Sequence, residues 1–221
     1  MLMRLLKNMK TPKNSLFVVL DGIDGSGKSE MLSRLHNYIF SLNKKYRILS
    51  TREPTYGRYG AKAREILQKD KNPQKNASKC LELFVKDRKE HLSSLVVPFL
   101  TKKNGKNINV VLCDRYYYST IAFQSTQGLN MRKVIERNKK FLRPTIGFIL
   151  DLPVGAALER LGNRGDAKEK FEHREFMTQL RRNFLDLPKY LSDNLIIVDA
   201  SRTKEEVFED IRKEVIRYLR K

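Results

Sequence analysis

From Asp21 the chain reads Asp-Gly-Ile-Asp-Gly-Ser-Gly-Lys-Ser, so that Gly22 to Ser29 fits the spacing G-x-x-x-x-G-K-[ST]. Glycines at Gly22, Gly25 and Gly27 let backbone N–H groups converge on phosphate oxygens without Cβ clashes, and Ile23, Asp24 and Ser26 complete the cradle. Lys28 has the reach for β- and γ-phosphates, and the Ser29 hydroxyl is a ligand type suited to Mg²⁺. A helix starting here adds the positive end of its dipole. The pattern implies a nucleoside triphosphate bound with Mg²⁺. A second centre is Asp114-Arg115, at the end of the apolar run Ile108 to Asp114. Asp114 there suits the Mg²⁺ shell, or alternatively the cap of the next helix. Arg115 suits bidentate contact with phosphate, or a surface ion pair.

The elements that must carry these residues follow from hydrophobic periodicity. Apolar runs predict strands at Leu16–Asp21, Tyr46–Ser50, Ile108–Asp114, Thr145–Asp151 and Leu195–Asp199. Helical spacing after the loop includes Met31, Leu32, Leu35 and Ile39. Further helices are predicted over Ala61–Gln68, from Ala77 through Leu92, from Arg115 to Gln124, over Arg132–Lys140, from Pro153 to Leu161, and over Phe171–Tyr190. Pro98 should kink the chain or start a new turn. Thr203-Lys204-Glu205-Glu206 is a capping box opening the last helix. This alternation implies one α/β domain over 15–221: a doubly wound, five-stranded parallel sheet with helices on both faces. Ligands in such sheets sit at the carboxyl ends of the strands. The glycine loop, Arg52 and Asp114-Arg115 all fall there.

With 221 residues the chain suits one sizeable core, and its net charge is +20. The cations are scattered, which favours attraction for small polyanions or a lysine-rich solvated surface over nucleic acid, for which no motif appears. Two cysteines, Cys80 and Cys113, form no CxxC pair, so neither zinc nor redox chemistry is indicated and a reducing cytoplasm fits. No apolar run approaches the roughly 20 residues of a membrane span, and no signal pattern opens the chain. Residues 1–14 read as a basic, loosely packed extension.

The ordered set Asp21–Ser29, Thr51-Arg52-Glu53-Pro54, Leu83–Arg88, Asp114–Gln124 and Leu150–Val154 resembles the thymidylate kinase family, over roughly residues 16 to 218. The resemblance implies a P-loop kinase fold and transfer of the ATP γ-phosphoryl group to dTMP. It also implies a homodimer packed through helices. Residue by residue, it implies Arg52 on the dTMP phosphate and Arg64 near the nucleotide. Phe84 would stack on thymine, and Arg88 would bond the base edge. Asp24 would lie near the 3′-hydroxyl and the metal, and Arg115 would bridge the two phosphates. Thr120 and Gln124 would sit beside the base. Lys28 and Arg115 would be catalytic, with Ser29 and Asp114 toward the metal. A different nucleotide or nucleoside kinase, for instance one for dUMP, is the neighbouring alternative. A basic nucleic-acid-binding NTPase is the more distant one.

Three departures from the family pattern matter. Thr55-Tyr56 stands where members often carry Gly-Gly. No basic residue occupies the loop positions Ile23 to Ser26, which moves the catalytic cations to a lid at about 162–172. There Arg164 is retained, and Glu169-Lys170 replaces the family's Asp-Arg, so Lys170 would act in place of an arginine. Phe123 stands where many members carry a tyrosine that helps to reject a ribose.

Overall fold

Strand β1 (Ser15–Asp21) is apolar at every position from Leu16 to Leu20 and lies at the centre of the sheet, buried on both faces. The computed structural model describes residues 11–69, 74–103, 105, 107–162 and 167–219, with side chains 167–173 left aside. β2 (Tyr46–Arg52), β3 (Ile108–Asp114), β4 (Ile146–Asp151) and β5 (Leu195–Asp199) complete a parallel sheet of order β2-β3-β1-β4-β5. The chain leaves β1 toward one edge to make β2 and β3, then crosses to make β4 and β5. That reversal opens a crevice at the carboxyl ends beside β1. Edge strand β2 alternates between half-buried and exposed positions, whereas β1 and β3 do not.

Helices α1 (Lys28–Leu42) and α9 (Lys204–Leu219) pack together on one face. α3 (Ala77–His91), α4 (Val97–Thr101), α5 (Tyr117–Thr126) and α8 (Ala167–Tyr190) cover the other; α2 (Arg58–Lys69), α6 (Met131–Asn138) and α7 (Val154–Leu161) fill the connections. The capping box forms as read: Glu206 accepts from the Thr203 N–H and Thr203 Oγ1 accepts from the Glu206 N–H.

Several boundaries differ from the sequence reading, each for a local reason. α2 begins at Arg58 rather than Ala61, because Thr55 Oγ1 accepts from the Gly57 N–H and turns the chain early. A π-helical turn, Leu92–Val96, precedes α4. Pro98 has no N–H to give to the preceding turn, and the widened turn accommodates this. α5 begins at Tyr117 rather than Arg115, because Arg115 adopts a left-handed backbone (φ 67°) that cannot start a helix. α8 begins at Ala167, four residues before the expected Phe171. No glycine or proline lies between Ala167 and Phe171, and Ala, Lys and Glu are good helix formers. Of the N-terminal extension, residues 1–10 lie outside the described part. Pro12 O accepts from the Ser15 N–H, and Thr11 Oγ1 accepts from Thr145. Among the described residues no helix is long and apolar enough to cross a membrane.

Candidate active site

The loop between β1 and α1 is shaped by backbone before any side chain acts. Gly22 has φ 134°, and a Cβ there would lie 2.6 Å from the Leu150 carbonyl oxygen of β4. Gly25 has φ 79°, and its Cβ would meet the Ala157 carbonyl at 2.9 Å. Only glycine satisfies both conditions. Lys28 opens α1 with its ammonium folded over the loop, donating to Ile23 O at 2.8 Å and Gly22 O at 3.2 Å. Burial lowers its pKa to about 8, and the Arg115 cation pushes the same way.

The Ser29 hydroxyl, in the first turn of α1, donates to Asp114 Oδ2 at the end of β3 at 2.8 Å. The other oxygen, Asp114 Oδ1, is buried and has no hydrogen-bond partner among the described residues. An orphaned carboxylate oxygen beside a hydroxyl is a hard, oxygen-only donor pair. It fits Mg²⁺, which takes one or two protein ligands and fills its shell with phosphate oxygens and water.

Asp114 does not cap α5. That task falls to Asp21, which sequence reading passed over. Its Oδ2 accepts from the N–H groups of Tyr116 and Ser119 at 3.1 and 2.9 Å. Its Oδ1 accepts from the Gly22 N–H at 3.0 Å and from Ser119 Oγ at 2.5 Å. Burial pushes this carboxyl above its ordinary value, opposed by the Arg115 charge and the Ser119 hydrogen bond. One side chain on the central strand thus fixes both the glycine loop and the turn that carries Arg115.

Beside the loop lies a cavity of about 340 Å³ lined by Asp24, Arg52, Glu53, Pro54, Arg64, Phe84, Asp87, Arg88, Arg115, Tyr116, Ser119, Thr120, Phe123 and, from α8, Leu180 and Phe184. Arg52, Arg64, Phe84, Arg88, Arg115, Thr120 and Asp24 of the sequence reading therefore meet in one place. Phe84 is half-buried and presents to the cavity instead of sealing the core. The Arg52 side chain has no hydrogen-bond or ion-pair partner among the described residues, although its backbone belongs to the β2–β3 pairing. Arg64 donates to Pro54 O at 2.6 Å and to Thr55 O, and lies 4.7 Å from the Tyr56 ring centre. The expected difference at Thr55-Tyr56 has a structural counterpart. The Asp87 carboxylate anchors Thr55, accepting from its N–H at 2.7 Å and its hydroxyl at 2.6 Å, and Tyr56 is 79% exposed.

Arg115 joins the two halves. It donates to Gly22 O at 3.3 Å and to Ser119 Oγ at 3.0 Å, and pairs with Asp24, a residue of the loop. A guanidinium held over the loop and lining the cavity can touch anions in both.

Gln124 departs from the rest. It is fully buried and does not line the cavity. Its amide donates to Ala77 O at 2.9 Å and Gln127 Oε1 at 2.7 Å, which turns it toward the start of α3. Arg164 lies outside the described residues, as does the side chain of Lys170. Sequence reading missed the supports behind these residues. Glu53 and Asn138 accept from Arg88, His91 is in turn bonded to Glu53, and Arg160 of α7 donates to Gly25 O at 3.2 Å. Glu53 was visible as part of Arg-Glu-Pro, but its partners lie on other elements. The Cys113 thiol is buried, which pushes it up and leaves it inert.

A family model described as thymidylate kinase matches residues 20–211. A probable thymidylate kinase of Pyrococcus abyssi is 36% identical over 199 residues, covering 88% of this chain and 93% of that protein. One from Staphylothermus marinus is 31% identical over 208 residues, covering 93% and 97%. A thymidylate kinase of Desulfotalea psychrophila is 34% identical over 171 residues, covering 77% and 80%.

Proposed function

The chain belongs to the thymidylate kinase family, and from that premise we propose how it carries out the ATP-dependent phosphorylation of dTMP to dTDP. The observation that carries the proposal is Arg115, held against the triphosphate-type loop and the monophosphate-sized cavity at once. In the reaction an oxygen of the dTMP phosphate bonds to the γ-phosphorus of ATP, and the bond from that phosphorus to the β,γ-bridging oxygen breaks, releasing ADP. Such transfer needs alignment and charge neutralisation more than covalent chemistry.

ATP takes the cradle Gly22 to Ser29, with its β- and γ-phosphates drawing the Lys28 ammonium away from the Gly22 and Ile23 carbonyls. Ser29 and Asp114 hold Mg²⁺, which when bound offsets negative charge on the phosphates. Arg52 and Arg64 take the dTMP phosphate end of the cavity, Phe84 stacks on the base, and Arg88 with Thr120 addresses its edge. Asp24 lies toward the sugar, its carboxylate steadying Arg115. Arg115 bridges donor and acceptor phosphates. Arg164 and Lys170, in a lid at about 162–172, are assigned to the transferring group. Gln124 enters as a support of the wall behind Thr120. The enzyme is proposed to work as a homodimer of one-domain chains in a reducing cytoplasm.

Coupled measurement of ADP release over dTMP, dUMP, dGMP and AMP tests this reading. Strong preference for dTMP is expected. Equal turnover of the four, or none with dTMP, would overturn it. Alanine variants of Arg164 and Lys170, assayed separately, locate the lid cation by which one lowers kcat.

A further inference from the structure

Beneath Arg88 lies a buried histidine for which the mechanism has no use. The His91 side chain is 2% exposed and sits one turn along α3 from Asp87 and Arg88. Its Nδ1 is 2.9 Å from Glu53 Oε1, and its Nε2 is 2.8 Å from Thr51 Oγ1. The other oxygen, Glu53 Oε2, accepts from Arg88 Nε at 2.8 Å and faces Nη2 at 2.7 Å. A carboxylate paired with arginine is an acceptor only, so Nδ1 carries a proton and donates. In the neutral ring Nε2 then accepts from the Thr51 hydroxyl, a tautomer fixed by the network.

The consequence is a guanidinium with little freedom. Of its five N–H groups, Nε donates to Glu53 Oε2, one on Nη2 to Thr120 Oγ1 and one on Nη1 to Asn138 Oδ1, while Nη2 is also held against Glu53 Oε2 as an ion pair. One Nη1 hydrogen is left without a partner among the described residues, on a residue that lines the cavity. A fixed single donor favours a pyrimidine with an oxygen at position 4 over one with an amino group there, because the amino group leaves donor facing donor.

We propose that His91 is the positioning residue that sets the Glu53 carboxylate, and through it the single free donor of Arg88, for recognition of the pyrimidine edge. The inference rests on the reading of Arg88 as the base-facing residue. If His91 is lost, Oε1 of Glu53 loses the one side-chain partner it has among the described residues. The carboxylate can then rotate, and the guanidinium turns with it. Binding of the base suffers while the transfer step, centred on Arg115 and Lys28, does not.

Steady-state kinetics of wild type, His91→Leu and His91→Asn with dTMP and dCMP, alongside thermal melting, tests it. His91→Leu is expected to raise the KM for dTMP roughly tenfold and to lower the dTMP-over-dCMP ratio of kcat/KM by about as much. Its kcat and its KM for ATP should stay within about twofold of wild type. His91→Asn, whose amide nitrogen falls near the Nδ1 position, should restore most of both effects. Unchanged dTMP parameters in a folded His91→Leu would overturn the proposal, as would a His91→Asn no better than leucine, or an equal loss in kcat and both KM values. Should the leucine variant not fold, Thr51→Val decides. It removes only the partner of Nε2, and it should shift the KM for dTMP in the same direction by about threefold; no shift would overturn the proposal. A wild type without preference for dTMP would instead refute the underlying assignment, so the two failures are separable.

Discussion

The two halves of the site are built in opposite ways. The cradle assigned to the donor is eight consecutive residues, shaped by glycine backbone pressed against β4 and α7, with a single buried cation folded over it. The cavity assigned to the acceptor draws on β2, α2, α3, the turn from β3 to α5, α5 and α8, and its chemistry lies in side chains oriented by other side chains. The spacing of the cradle is written in adjacent residues, although Leu150 and Ala157 press on its glycines from elsewhere in the chain. The cavity needs the whole sheet in register first. Asp21 and Arg115 are where the two constructions meet.

The contrast predicts that the cradle fails through chemistry and the cavity through affinity. Lys28→Ala should show the largest effect, a loss of turnover of about a hundred- to thousandfold with the melting temperature maintained or raised, because removing a buried cation relieves its desolvation. Retained turnover would break the comparison at its root. Asp21→Ala should damage both halves at once. It leaves four donors without their carboxylate, at a cost of about 2–4 kcal/mol in denaturant unfolding, with a rise in KM for ATP and for dTMP alike. An effect on only one substrate would show that the halves are not tied there. Phe84→Ala should raise the KM for dTMP by roughly tenfold, in line with the ~1–3 kcal/mol of a base–aromatic stack, with kcat little changed. An unchanged KM would make Phe84 a packing residue.

The smallest effect is a pH dependence. Lys28 titrates at about 8 in the fold against 10.5 ordinarily. Its charged form opposes folding below pH 8, and that penalty is relieved as pH rises from 8 to 10.5. A bound triphosphate reverses the balance by favouring the ammonium. ATP binding should take up a proton between about pH 8 and 9 and weaken several-fold above pH 8, with little change from pH 6 to 7. Calorimetry in buffers of different ionisation enthalpy reads the proton directly; no uptake would mean that the amine and the phosphates do not meet.

Legibility in the sequence follows the same division. The glycine loop, the bounds of β3 and β5 and the Thr203 capping box could be read because each is set by neighbours along the chain. The start of α5 could not, since it depends on the Asp21 carboxylate reaching Ser119 across 98 positions. Glu53 and His91 are 38 apart and Arg88 and Asn138 are 50 apart, so no periodicity links them. The family resemblance brought Arg52, Phe84 and Arg88 together, but it also put Gln124 beside the base. The fold instead uses its amide to satisfy the Ala77 carbonyl.

What this sequence determined alone is the phosphate cradle and the alternation of strands and helices, because glycine spacing and hydrophobic period are properties of adjacent residues. Only the tertiary structure decided which of many arginines meet in one cavity, which buried carboxylate orders the site and which amide turns away. Those outcomes depend on the pairing of desolvated polar groups, and partners for such groups are found in space, after the sheet has closed.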